Sequence, residues 1–83
     1  MEIAKIVGNN IKEARKSVCL TQKDVAEKLF MTQQQYSRFE NGIYELNYIQ
    51  LLALSIMFKV NIEDFFVLNE KEVEDINKAF HLK

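Results

Sequence analysis

Eighty-three residues are enough for one small domain with a single core, and 48% apolar residues, including six Phe and three Tyr, can fill it. The lone cysteine, Cys19, excludes an internal disulfide; with no secretory pattern at the start of the chain, a reducing, cytoplasmic setting is expected. The net charge of −1 does not by itself mark a nucleic-acid binder, and the most apolar run, Ile49 to Phe58, is broken by Gln50 and Ser55 and too short to span a bilayer.

Glu2 to Ser17 reads as the first helix, with Ile3, Val7, Ile11 and Ala14 on one stripe and Val18 continuing it. Gly8 costs about 1 kcal/mol relative to Ala inside a helix, so this helix is expected to bend or begin there. Lys5, Lys12, Arg15 and Lys16 lie off the stripe; Lys5 reads as solvation, whereas Lys12 and Lys16 could approach a phosphate.

Thr21 to Gly42, TQKDVAEKLFMTQQQYSRFENG, reads as two short helices joined by a tight turn. Thr21 with Asp24 makes a capping-box-like start, and Val25, Ala26 and Leu29 supply an apolar stripe. The pattern breaks at Phe30-Met31, Thr32 caps the second helix, Tyr36 and Phe39 point inward, and Asn41-Gly42 closes it with Gly where a left-handed residue is wanted. The size is that of a helix-turn-helix, in which one helix enters the major groove while the other lies across it. Gln33, Gln34, Ser37 and Arg38 remain on the outside of the second helix (about 33–41); Gln can pair bidentately with adenine and Arg with guanine. The same three glutamines serve equally as a solvated helix start.

Ile43 to Leu46 form a link, and Asn47 caps a helix apolar on two faces: Tyr48, Leu51, Leu52, Ser55 and Phe58 on one, Ile49, Ala53 and Ile56 on the other. Such a helix needs cover on both sides, from the core and from the C-terminal segment or a second subunit. Tyr44 and Tyr48 suit either the DNA backbone or packing at the core's rim. Asn61 is expected to cap a short helix, Ile62 to Phe66. The cluster Phe65, Phe66, Val67 and Leu68 is expected to be a dimer interface. Asn69, with Glu72 three residues on, opens an extra helix whose stripe is Val73, Ile76 and Phe80; it suits docking on its own domain as well as pairing with a partner subunit.

Enzymatic chemistry finds no support. His81 is the one histidine, so no metal cluster or His-based triad can be assembled, and Gly8 and Gly42 cannot make a phosphate loop. Cys19 reads as a small buried apolar residue. No cofactor and no metal are expected.

From about Val7 to Phe66, through VGNNIKEARKSVCLTQKDVAEKL, the turn, SRFENG and LLALSIMFKVNIEDFF, the chain resembles the XRE family, the type of lambdoid phage Cro proteins and repressors. Thr32-Gln33-Gln34 is similar to the start of the recognition helix in a phage repressor of that family. The resemblance implies that Gln33, Gln34 and Arg38 read bases and that Gln22 and Asn41 meet the DNA backbone; Ser37 is expected to join the base readers, and Lys23 and Tyr44 the phosphate contacts. It also implies that Arg15 reaches Glu40, a carboxylate facing the negative end of its own helix, as an architectural brace. The family usually has Gly where this chain has Phe30, and often where it has Cys19. Because positive φ is costly for a bulky residue, the turn is expected to close with a different backbone or to give Phe30 apolar cover.

The expected fold is all-α: a compact five-helix, repressor-like DNA-binding domain (1–68) plus one extra C-terminal helix (69–83) used in packing or dimerisation. The expected function is that of a sequence-specific regulator of transcription, a homodimeric repressor on double-stranded DNA, with Phe65, Phe66, Val67, Leu68, Ile76 and Phe80 at the dimer interface and no membrane contact. Residues 1–60 carry eight Lys/Arg against six Asp/Glu, and residues 61–83 three against six. That thin positive excess over the DNA-facing part suits a dimer, which doubles the phosphate contacts. Two alternatives are an antitoxin whose acidic C-terminal helix grips a protein partner, and an interaction module that kept the fold but lost DNA binding.

Overall fold

The computed structural model describes residues 2–82, and every regular element among them is helical: α1 (Ile3–Ser17), α2 (Gln22–Lys28), α3 (Gln33–Glu40), α4 (Tyr48–Phe58), a 3-10 helix (Ile62–Phe66) and α5 (Glu70–Phe80). Met1 and Lys83, the outermost residues of the two expected segments, lie outside the described residues.

Helices α2 to α5 all start with a reciprocal cap. Thr21 with Asp24, Thr32 with Gln35, Asn47 with Gln50 and Asn69 with Glu72 each exchange side-chain and backbone hydrogen bonds, so two otherwise orphaned N–H groups are satisfied at each start. The four caps stand where the sequence places them, whereas Asn61, also expected to cap, makes no side-chain bond to the 3-10 helix.

The five α-helices also share one kind of ending. The residue after a left-handed one donates its N–H back five positions: Leu20 to Arg15 O (3.3 Å), Met31 to Ala26 O (2.9 Å), Ile43 to Arg38 O (2.9 Å), Val60 to Ser55 O (3.1 Å) and Leu82 to Asn77 O (2.9 Å). This is the Schellman bond, and all five donors are apolar. The left-handed residue is glycine only at Gly42 (φ 79°); elsewhere it is Cys19 (59°), Phe30 (57°), Lys59 (59°) and His81 (53°). Each non-glycine costs about 1–2 kcal/mol, offset by the satisfied carbonyl and, for Leu20, Met31 and Val60, by an apolar side chain packed on the core.

The expectation at Phe30 is therefore corrected on both counts: the turn keeps the left-handed backbone, and Phe30 is 97% exposed. Met31, one residue later, supplies the anchor. Cys19, expected to be buried, is exposed as the corresponding residue after α1.

Gly8 does not start α1, which begins at Ile3 and runs through it to Ser17. A Cβ there would lie 2.5 Å from Glu40 O and 2.8 Å from Phe39 O, so Gly8 is the point where α1 crosses the end of α3 backbone to backbone. Around this crossing Ile11, Val25, Ala26, Tyr36, Phe39, Leu54, Phe58 and Phe65 form the buried core. Tyr36 and Phe39 tilt together at 5.8 Å, and Phe58 meets Phe65 edge-on at 6.4 Å.

Phe65 is fully buried, so its expected place in a dimer interface is corrected: the 3-10 helix turns it back onto α1 and α4. Asn10 secures that turn, donating through Nδ2 to Phe65 O (3.1 Å) and Val67 O (3.2 Å). Helix α4 buries Leu54, Ser55 and Phe58, but Tyr48 and Leu52 from the same expected face stay exposed, with Ile49 and Ile56. No residue of α5 joins the core, and the molecule is elongated, 41 × 23 × 19 Å. No helix among the described residues is long and apolar enough to cross a membrane.

Candidate nucleic-acid interface

Helix α3 has eight residues, with Tyr36, Phe39 and Glu40 buried and Gln33, Gln34, Gln35 and Arg38 exposed. The division follows from helical spacing, since positions 36, 39 and 40 share a face while 34 and 38 stack one turn apart on the other. Ala26 on α2, 1% exposed, is small enough to let α2 and α3 close on each other. Gln35 is committed to the cap: its Oε1 accepts from Thr32 N at 3.0 Å. Gln33, Gln34 and Arg38 make no hydrogen bond or ion pair to another described side chain, and Ser37 is half-buried between them.

The inward side of α3 is held by a buried polar network. Arg15 donates through Nε to Glu40 Oε2 (2.7 Å), through Nη2 to Oε1 (3.1 Å) and through Nη1 to Leu20 O (2.8 Å). Both side chains of the pair are nearly sealed, at 9% and 1% exposure. This bidentate contact ties α1, the end of α1 at Leu20 and the last turn of α3 into one unit. Burial pushes the Glu40 carboxyl up, but hydrogen bonds from Arg15 and Gln22 outweigh it and hold the group below the ordinary carboxylate range. The Glu40 hydrogen bond, against the opposing effect of burial, raises Arg15 above its usual value. Burial pushes the Tyr36 phenol far up, and its hydroxyl, beside the pair, is fully buried without a well-aligned partner of its own.

Among the residues expected at phosphates, Lys23 and Asn41 are exposed on either side of α3 in the chain, and Tyr44 is half exposed over a cleft of about 400 Å³ lined also by Ile3, Val7, Leu46, Leu51 and Phe66. Gln22 differs from expectation. Its Nε2 donates to Glu40 Oε1 at 3.0 Å, so the amide is drawn into the brace, leaving its oxygen and second N–H free. A signal for this was present in the sequence: a carboxylate offers about four lone-pair sites and a bidentate Arg fills only two of them, so a buried Glu40 calls for a further donor such as the Gln22 amide.

Two short helices joined by a Schellman turn, one clamped from behind and presenting free amide and guanidinium groups outward, define a helix-turn-helix DNA-binding domain. A family model described as Helix-turn-helix matches residues 11–65, well over half of the chain. The protein belongs to that family, the XRE-type helix-turn-helix regulators, which are DNA-binding proteins. No curated protein and no solved structure matches the chain significantly.

Proposed function

We propose that the protein is a sequence-specific, homodimeric repressor that sets α3 of each subunit into successive major grooves of double-stranded DNA. Gln33, Gln34 and Arg38, with Ser37, read base edges. Lys23, Asn41, Tyr44 and the free N–H of Gln22 meet phosphates, Arg15 and Glu40 hold the reading helix in place, and Phe66, Val67, Leu68, Ile76 and Phe80 supply the dimer contact. Such a protein works where the DNA is, in the cytoplasm.

One observation carries this reading. Gln33, Gln34 and Arg38 are exposed and uncommitted on a helix whose opposite face is buried and ion-paired. An interaction module without DNA binding has two supports, the weak net charge and an ill-formed turn at Phe30; the turn closes with regular hydrogen bonds, which leaves the net charge of −1. The antitoxin alternative keeps one supporting feature, the acidic C-terminal helix with Val73 and Phe80 exposed.

The test is affinity for duplex DNA selected from a random pool, measured against rising salt. A DNA reader loses affinity along a straight log–log line, with a modest slope because few cations face the DNA. Gln34→Ala is expected to cost about 1–3 kcal/mol on the selected site and little on random duplex. Equal losses on both would remove Gln34 from base reading, and no binding even at low salt would sink the proposal.

A further inference from the structure

The end of α3 holds a chemically reactive pair. Asn41 is the one asparagine of seven that precedes a glycine; the others precede Asn, Ile, Tyr, Glu or Lys. An asparagine side-chain amide is open to attack by the backbone nitrogen of the next residue, and glycine, with no side chain, hinders that approach least. Asn41 is exposed.

The fold obliges this pair to stand together. Gly42 sits at φ 79°, and a Cβ there would lie 2.8 Å from both the backbone and the side chain of Lys5, so a side chain has no room beside α1. Hydrogen bonds restrain the reaction. The Gly42 N–H donates to Phe39 O (3.0 Å) and the Ile43 N–H to Arg38 O (2.9 Å). The helix-like backbone of Asn41 (ψ 3°) meanwhile keeps the Gly42 nitrogen turned away from Asn41 Cγ. This latch is the least anchored of those that end α1 to α4. Leu20, Met31 and Val60 pack on the core, whereas Ile43 is 75% exposed. An ending without its apolar contact opens more readily.

We propose that Asn41 is a deamidation site, released by opening of the α3 end, and that its conversion switches DNA binding off; the second half rests on the DNA reading above. With the end open, the Gly42 nitrogen gives up its proton to solvent and bonds to Asn41 Cγ. The Cγ–Nδ2 bond breaks, the nitrogen leaves as ammonia with a proton taken back from solvent, and a cyclic succinimide remains. Water opens the ring at either carbonyl and leaves aspartate or isoaspartate. Both products carry a new carboxylate at the negative end of the α3 dipole, beside the phosphates that Asn41 is placed to meet. Isoaspartate also lengthens the backbone by a carbon, inside the loop that the bond from Ile43 to Arg38 closes. DNA bound to the closed form holds the end shut and slows the reaction.

Ageing the folded protein at mildly alkaline pH tests this, with peptide masses giving the converted fraction at each asparagine. Conversion at Asn41 is expected to run at least about tenfold ahead of every other asparagine. It should be about fivefold faster in Ile43→Pro, which deletes one donor of the latch, and slower on the selected duplex. Ion exchange separates converted from intact chains. The converted fraction and the Asn41→Asp variant are expected to bind that duplex at least about tenfold more weakly. Circular dichroism checks that each variant is folded. An intact Asn41 in the folded chain, under conditions that convert the urea-unfolded chain, would overturn the inference and leave the DNA reading standing. A rate indifferent to Ile43→Pro would do the same. Converted protein that binds as tightly as intact protein would overturn the switch and remove Asn41 from the phosphates, without touching base reading by Gln34. A fresh wild-type chain that binds no duplex would overturn the switch and the DNA reading together.

Discussion

Helices α3 and α5 are built from the same local parts, and the structure treats them differently. Each starts with a reciprocal cap, each ends in a Schellman bond, and each carries aromatic or branched residues along one stripe. Yet Tyr36 and Phe39 on α3 are sealed against α1 and α2, while Val73 and Phe80 on α5 face solvent. Caps and periodicity establish that a helix forms; whether its apolar side is covered depends on chain elsewhere. The first helix is held from behind by the core, and the second leaves much of its apolar stripe in solvent.

That contrast can be broken most severely at the brace. Arg15→Ala leaves Glu40 buried without its cation and is expected to cost about 3–5 kcal/mol in denaturant unfolding. A loss under about 1 kcal/mol, the range of an exposed pair, would show that water reaches the pair in solution. Gly8→Ala comes next. Helix propensity favours the alanine by about 1 kcal/mol, but its Cβ would press on two carbonyl oxygens of α3 that cannot yield. A net loss of about 1–3 kcal/mol is expected, and a stabilised variant would mean that α1 and α3 sit further apart than the structure has them.

Acid provides a gentler probe of the same junction. Because folding lowers the Glu40 carboxyl below its ordinary 4.5, its contribution is fully present above that value and is lost as pH falls through the lower folded value. Asp24, lowered by the Thr21 backbone N–H at the start of α2, adds to the same limb. Stability should therefore decline as pH drops below about 4.5, and Glu40→Gln should flatten that decline while lowering the plateau. An acid limb unchanged in Glu40→Gln would assign it to other carboxylates. The smallest effect belongs to α5: Val73→Ser, in dilute protein, is expected to move unfolding by no more than about 0.5 kcal/mol. A larger loss would mean that α5 docks on its own domain.

Much of the helix-turn-helix was legible because it rests on short-range rules. Thr21, Thr32, Asn47 and Asn69 are caps by residue type and spacing, and Tyr36 and Phe39 face inward by the helical period. The turn was misjudged by reading Phe30 alone. The informative residue was the next one, since Met31, like Leu20 and Val60, pins the chain to the core and obliges its predecessor to turn left-handed. Phe65 was misplaced for a related reason. A run of four apolar residues does not say which of them a 3-10 turn rotates inward.

From the sequence alone came the helical class, the bounds of the helix-turn-helix, its outward Gln33, Gln34 and Arg38, and the Arg15–Glu40 pairing through family likeness. All of these follow from neighbours within a few residues or from a motif. Only the tertiary structure decided that Gly8 is a crossing point, that Gln22 joins the brace, that Phe65 is core and that α5 adds nothing to that core. Each depends on how closely two distant stretches of backbone approach, a distance that side-chain periodicity does not encode.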